Sequence, residues 1–142
     1  MSRPPGARSI DEILAEARAR LVRITPRQAH AEEDALLIDI RPAWQRAEEG
    51  AVEGALIVER NHLEWRFDPE SDARLPEATG YGIRPVVFCS EGYTSSLAAA
   101  SLQDLGLARA TDIDGGFQAW RAAGLPWVGA DPATGGAVLR HT

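Results

Sequence analysis

Short apolar runs alternate with longer amphipathic stretches along most of the chain. Four segments have the length and composition of buried strands, and polar or turn-forming residues bound each of them. They lie at residues 35–40, 55–59, 86–89 and 110–114. Apolar runs without strict alternation indicate strands that are covered on both faces, as in a parallel sheet.

Helix-forming stretches precede and separate these strands. Ser9 is a predicted N-cap because acidic residues follow it in the first helical turn, and Thr25 with Pro26 has the pattern of a second helix start. Gly50 and Gly106 are predicted to follow helix ends. The predicted helices cover residues 10–22, 26–33, 42–49, 61–66, 94–105 and 117–123.

The order of these elements predicts the fold class. Strands and helices alternate through the core, so we expect an α/β domain with a parallel sheet, helices on both faces and a preceding N-terminal helix. Residues 1–8 are predicted to be a flexible arm and residues 129–142 a loose tail. Between them lie an N-terminal helical segment, 9–34, and the core, 35–128, which we expect to pack as one domain.

Composition and charge narrow the function classes. The 142 residues carry a formal net charge of -6, which argues against a nucleic-acid partner. No apolar run approaches the roughly 18 residues of a membrane span, and no signal-peptide pattern is present, so we expect a cytoplasmic protein. His30, His62 and His141 are scattered and the chain has one cysteine, so neither a metal nor another cofactor is predicted.

The one cysteine, Cys89, ends the third predicted strand and begins a tight polar turn. Ligands bind beyond the carboxyl ends of parallel strands, and the amides and dipole of a following helix favour a thiolate there. Gly92 permits a positive φ in this turn, and Thr94 or Ser95 is the predicted helix cap. A lone cysteine after an apolar strand is also common as an inert core residue, so the turn alone leaves both interpretations open.

Four segments, taken together, resemble the rhodanese family of sulfurtransferases. "LLIDIRPAWQRAEEGAVEGA" resembles the opening pattern of the family, and "VVFCSEGYTSS" resembles its active-site loop. "LQDLG" is similar to the end of the helix after that loop, and "DIDGGFQAWRAAGLPW" resembles the closing pattern. The resemblance spans about residues 35–127, in order and at suitable spacing.

This resemblance implies a fold and a reaction. The fold would be a parallel sheet of about five strands between layers of helices. Cys89 would take a sulfane sulfur from a small-molecule donor such as thiosulfate, become a persulfide, and pass the sulfur to a thiol or cyanide. Backbone amides would cradle the persulfide along the loop formed by Ser90, Glu91, Gly92, Tyr93, Thr94 and Ser95.

The charge of the loop departs from the family pattern. Many members that use thiosulfate have Arg or Lys in the loop, whereas this chain has Glu91 and no basic residue there. A cation would then come from elsewhere in the chain. Arg41 could contact an anion or pair with Asp39 to order the loops, and Arg60 and Arg66 could lie near the mouth of the pocket.

Other functions remain open at the level of sequence. Cysteine phosphatases carry Cys-x5-Arg, but Ser95 occupies that arginine position, which disfavours phosphatase chemistry. A non-catalytic rhodanese-like binding or regulatory module and a redox-responsive thiol protein are the alternatives. Trp65 and Tyr93 are predicted to wall the pocket. The physiological donor, the acceptor and the oligomeric state are not predicted.

Overall fold

A four-stranded parallel sheet forms the centre of the protein. The computed structural model describes residues 2–130 and 138–141, and within them the sheet consists of β1 (Ala35–Asp39), β2 (Leu56–Ile57), β3 (Arg84–Phe88) and β4 (Thr111–Asp112). Their spatial order is β2-β1-β3-β4. Ile24 adds one more strand position beside β4 through a parallel bridge to Ile113. The predicted α/β class and parallel sheet of about five strands are confirmed.

Helices cover both faces of this sheet. Their bounds in the described part of the chain are α1 (Ile10–Ala19), α2 (Pro26–Ala31), α3 (Ala43–Glu49), α4 (Leu63–Phe67), α5 (Thr94–Asp104) and α6 (Gly116–Ala122). A 3-10 turn, Arg60–His62, precedes α4. Ser9 and Thr25 both form capping boxes, so both predicted helix starts are confirmed.

The side chains of β3 alternate between two hydrophobic cores. Val86 and Phe88 pack in the core that α2 and α6 cover, whereas Val87 and Cys89 pack in the core that α4 and α5 cover. The apolar run at residues 86–89 therefore contributes side chains to the hydrophobic cores on both faces of the sheet. Because β3 is central and pairs with both β1 and β4, the residue after its last position lies at the middle of the carboxyl edge.

Some predicted elements differ from the structure. α1 ends at Ala19 rather than at residue 22, because the following residues extend towards the Ile24 bridge. Trp44 and Trp120 both stand in amphipathic helix patterns, which predict that they pack against the core. Trp120 is buried as that pattern predicts, whereas Trp44 is 62% exposed.

The described part of the C-terminal segment contains a two-stranded antiparallel sheet. β5 (Trp127–Ala130) pairs antiparallel with β6 (Val138–His141), and Val128 also bridges to Ala51. The rest of the predicted tail, residues 131–137 and 142, lies outside the described residues. None of the helices in the described part of the chain has the length and apolar composition of a membrane span.

Candidate active site

Cys89 lies at the carboxyl edge of the sheet, directly after β3. Its side chain belongs to the same hydrophobic core as Ala98 and Ala99 of α5, and only 6% of the residue is exposed. The amide of Gly92 donates a hydrogen bond to its Sγ atom over 3.2 Å. An amide that points at a sulfur atom favours negative charge on that atom.

Gly92 adopts a conformation that other residues rarely reach. Its φ is 88°, and a Cβ atom added there would lie 2.9 Å from the amide nitrogen of Gly115. The turn therefore curls tightly because both conformational freedom and the absence of a side chain are required at this position. The predicted positive φ at Gly92 is confirmed.

The glycine pair after β4 seats α6 against the same turn. The amides of Phe117 and Gln118 donate to the carbonyls of Cys89 and Ser90 at 2.8 and 3.0 Å. A Cβ atom on Gly116 would lie 2.5 Å from the Cys89 carbonyl oxygen. Close approach of two backbones explains why glycine is needed at this position in "DIDGG".

A buried carboxylate organises the start of α5 below the turn. Asp112, the last residue of β4, is 0% exposed and accepts hydrogen bonds from the hydroxyls of Ser95 and Ser96, each over 2.8 Å. Tyr93 occupies the cap position without a side-chain hydrogen bond, so the prediction that Thr94 or Ser95 caps the helix is wrong. The hydroxyls instead satisfy a buried acid, which would be costly to leave unpaired.

Two arginines contact the turn from the N-terminal segment. Arg18 and Arg23 donate to the carbonyl of Gly92 at 2.8 and 3.0 Å. Arg23 also forms a bidentate pair with Asp112, at 2.9 and 3.1 Å. Burial lowers the pKa of Arg23, but the hydrogen bond and charge of Asp112, followed by the charges of Asp114 and Cys89, raise it above its usual value overall.

Sequence reasoning missed these arginines and Asp112. The arginines stand 74 and 69 residues before Gly92, in a segment that resembles no family motif, so no local pattern marks them. Asp112 did carry a signal, because an acidic residue at the end of a parallel strand lies at the edge where ligands bind.

On the other side of the turn, Ser90 is tied to α3 and α6. Its hydroxyl donates to the Glu49 carboxylate at 2.9 and 3.1 Å, and Gln118 donates to its Oγ atom at 3.3 Å. Glu49 also accepts from Arg41 at 3.1 Å. Hydrogen bonds to α3 and α6 therefore hold the Ser90 side chain in place.

Arg41 and Asp39 form a buried pair beside the turn. Arg41 Nε and Nη2 lie 3.0 and 2.7 Å from the two Asp39 carboxylate oxygens, and Nη2 also donates to the Gly50 carbonyl. The guanidinium lies 4.3 Å from the ring centroid of Phe117. These contacts leave Arg41 fully buried, which favours the loop-ordering role over contact with an anion.

Arg60, Arg66 and Trp65, the other predicted site residues, make contacts with residues outside the Cys89 turn. Arg60 pairs with Glu64 at 2.8 Å, and Arg66 donates to the carbonyl of Ala73. Trp65 lines a surface hollow with Leu105, which follows α5 at the end opposite the turn, so Trp65 is not a wall of the Cys89 site.

Three residues of the turn are accessible from solvent. Glu91, Tyr93 and Thr94 are all exposed, and the guanidinium of Arg18 lies 5.6 Å from the Tyr93 ring centroid. Within the described residues, no group of three or more potential ligands could hold a metal ion. The exposed side of the turn therefore presents an acid, an aromatic ring and a hydroxyl.

Known proteins share both the sequence pattern and the fold. The rhodanese-like domain family matches residues 26–123. Thiosulfate sulfurtransferase GlpE of Pseudomonas savastanoi pv. phaseolicola is 34% identical over 102 residues, which cover 70% of this chain and 87% of that protein. The adenylyltransferase and sulfurtransferase MOCS3-2 of Zea mays is 38% identical over 85 residues, but the match covers 60% of this chain and 17% of that protein.

Solved structures agree with this assignment. A Rhodopseudomonas palustris protein of unknown function, described as a possible tyrosine phosphatase, has a TM-score of 0.77 and 32% identity, covering 89% of this chain and 98% of that one. The polysulfide-sulfur transferase homodimer of Wolinella succinogenes shares the fold, with a TM-score of 0.67 at 24% identity and coverage of 85% and 88%. The chain therefore belongs to the rhodanese-like domain family.

Proposed function

We propose that this protein is a sulfurtransferase that carries a sulfane sulfur as a persulfide on Cys89. The observation that carries the proposal is the Gly92 amide, which donates to the sulfur at the carboxyl edge of the sheet. The GlpE relatives, whose name is thiosulfate sulfurtransferase, support thiosulfate as one donor. The acceptor is a thiol or, in the test tube, cyanide.

The reaction proceeds in two displacements. The Cys89 thiolate attacks the sulfane sulfur of thiosulfate, a new S–S bond forms, and the old S–S bond breaks so that sulfite leaves with its electron pair. Cys89 is then a persulfide. Cyanide attacks the outer sulfur, leaves as thiocyanate, and restores the thiolate. Donor and acceptor meet the enzyme in separate steps, so ping-pong kinetics are expected.

The turn supplies anion stabilisation rather than proton transfer. In the described residues, the Gly92 amide is the group that hydrogen-bonds Sγ, and no histidine or carboxylate does so. A nucleophile that reacts as a thiolate needs no general base at the sulfur. Neighbouring amides between Ser90 and Ser95 would face the outer sulfur of the persulfide, with the side chains of Glu91, Tyr93 and Thr94 towards solvent.

Phosphatase chemistry is a poorer fit, although one structural relative is described as a possible tyrosine phosphatase. Ser95 stands where a phosphatase would have its arginine, and its hydroxyl is committed to the Asp112 carboxylate. A phosphate dianion would meet Glu91 in the turn without an arginine of the turn to bind it. Hydrolysis of p-nitrophenyl phosphate by Cys89 would contradict this argument.

Intact mass after incubation with thiosulfate tests the proposal. We expect a gain of one sulfur atom that is lost on adding cyanide and absent in Cys89→Ala. Mercaptopyruvate and a small organic persulfide are the parallel donors. No adduct from any of the three would overturn the proposal and favour a non-catalytic module. Oxidation of Cys89 by peroxide without any sulfur uptake would favour a redox-responsive thiol.

A further inference from the structure

Two residues from outside the family's common segment reach the sulfur-binding turn. Arg18 lies in α1 and Arg23 follows it, and both precede residue 26, where the match to the rhodanese-like family begins. Both side chains donate to the Gly92 carbonyl. We refer to Arg18 and Arg23 as the arginine pair.

The arginine pair acts on the residue whose amide contacts the sulfur. Gly92 donates through its nitrogen to Cys89 and accepts through its oxygen from both guanidinium groups. Glycine at a φ of 88° has several other conformations within reach, and a change of φ rotates its amide relative to its carbonyl. Charge-assisted hydrogen bonds to the carbonyl disfavour those alternatives, because rotation would break them.

Each member of the pair is itself held in place. Arg23 binds both carboxylate oxygens of Asp112, which the hydroxyls of Ser95 and Ser96 also contact. Arg18 Nε lies 3.1 Å from Ser96 Oγ. A planar guanidinium can serve Asp112 and the Gly92 carbonyl together, whereas a lysine ammonium has no such fork. The contacts with Asp112 and Ser96 therefore fix the orientation of the two guanidinium groups as well as the place of their charges.

The pair also places two guanidinium groups beside a turn that has no cation of its own. Residues 90–96 contain Glu91 but no basic residue. The side chain of Arg23 is 17% exposed, and its charge is balanced by the buried Asp112 and by Asp114. Removal of the Arg23 charge would leave the buried Asp112 carboxylate without its cation, and that added negative charge would disfavour an anion on the sulfur or an approaching anionic donor.

We infer that Arg18 and Arg23 are positioning residues of the sulfur-transfer site, which hold the Gly92 amide on Cys89 and offset the negative charge of Asp112 beside it. The N-terminal segment is then part of the catalytic unit. The inference rests on the proposed function for the reaction that it serves, whereas the alkylation chemistry of Cys89 tests it without any sulfur donor.

The experiment compares Arg18→Gln, Arg23→Gln and Arg23→Lys in the full chain. The first readout is the rate of Cys89 alkylation by iodoacetamide, which is neutral. The second readout is the alkylation rate with iodoacetate, which is anionic, divided by the alkylation rate with iodoacetamide. We expect Arg23→Gln to slow iodoacetamide about tenfold and lower the ratio about threefold, because both amide alignment and charge are lost. Arg18→Gln has a smaller effect on both readouts.

Controls separate positioning from general loss of structure. Arg20→Gln removes the same charge from the end of α1, where Arg20 contacts Asp104 and the Ala100 carbonyl but not the turn, and it leaves both readouts unchanged. Arg23→Lys keeps the charge, so it restores the iodoacetate ratio while the iodoacetamide rate stays low. A purely structural role would lower the melting temperature without changing the ratio, and that result would overturn the inference.

The two proposals fail in different ways. If the wild-type protein takes up no sulfur but Arg23→Gln still lowers both readouts, the sulfurtransferase proposal fails and the positioning role stands. If the wild-type protein forms a persulfide and Arg23→Gln matches it in alkylation and in sulfur uptake, only the positioning role fails. If Arg23→Gln does not fold, an iodoacetamide rate for Arg23→Lys equal to the wild-type rate overturns the inference.

Discussion

The guanidinium of Arg41 and the carboxylate of Asp39 form an ion pair that is almost fully buried. Nη2 of Arg41 lies 2.7 Å from Oδ2 of Asp39, and the exposed fractions of the two side chains are 0% and 1%. We expect Asp39→Asn to lower the free energy of unfolding by about 3 kcal/mol, because the Arg41 charge stays buried with a weaker partner. Urea unfolding measures this change.

Asp34→Asn is the matched control for that prediction. Asp34 also pairs with an arginine, Arg109, but both side chains are about half exposed. Solvent already stabilises these charges, so the control changes unfolding little. Equal effects of the two substitutions would mean that burial of the Arg41 pair contributes nothing to the fold.

Gly92→Ala should impair both stability and sulfur uptake. The alanine Cβ would stand 2.9 Å from the Gly115 nitrogen at a φ of 88°, so the turn must shift and carry the amide away from Cys89. Gly54→Ala is the matched control, because Gly54 has the same φ of 88° with no atom within 4 Å of the added Cβ.

The two alanine variants separate backbone strain from steric contact. Gly54→Ala costs about 1 kcal/mol of unfolding free energy from the positive φ alone and leaves activity intact. Gly92→Ala costs about 1–3 kcal/mol more, from the forced shift of the turn. Denaturant unfolding and persulfide formation by mass are the measurements, and normal sulfur uptake by Gly92→Ala would contradict the role of its amide.

Glu91→Lys should improve the use of thiosulfate. Glu91 is exposed in the turn, where its charge repels a dianionic donor, although solvent screens much of that repulsion. We expect KM for thiosulfate to fall about threefold, which corresponds to about 0.6 kcal/mol. Glu33→Lys makes the same change of net charge before β1, at the opposite edge of the sheet. An equal fall in KM in both variants would mean that the position of Glu91 in the turn does not weaken thiosulfate binding.

A partly buried carboxylate between α4 and α5 gives a pH-dependent contribution to stability. Glu64 accepts from the Ser101 hydroxyl at 2.6 Å and from Arg60 at 2.8 Å. Burial raises the pKa of Glu64, but these hydrogen bonds and the Arg60 charge lower it overall, below its usual value near 4.5. The native protein therefore prefers the ionised form more strongly than the unfolded chain does.

The sign of the effect follows from that lowered pKa. The stability that Glu64 contributes is fully present above its usual pKa and is lost as the pH falls through the lower pKa of the folded state. Glu64→Gln should therefore destabilise the protein at neutral pH, and the loss should shrink as the pH falls below the usual value near 4.5. Urea unfolding at neutral and at acid pH tests this, and a loss that grows in acid would contradict it.

Much of the fold was predictable because it depends on short-range patterns. Apolar runs marked all four strands of the parallel sheet, and the Ser9 and Thr25 capping boxes are complete within four residues each. Boundaries were less accurate, as at the end of α1, because a distant partner for Ile24 decides where the helix stops. Trp44 is exposed for a similar reason, since distant elements rather than the amphipathic pattern itself decide which face of a helix is buried.

The sequence by itself determined where a reactive sulfur could lie, because a cysteine at a strand end, a glycine three residues later and a helix start are local features. It could not determine which cations reach that cysteine. Arg41, Arg60 and Arg66 were the candidates, yet Arg18 and Arg23 approach the turn. Only packing of the N-terminal segment beside α5 and β4 brings these charges to Gly92, since a contact across about 70 residues depends on the whole fold rather than on spacing along the chain.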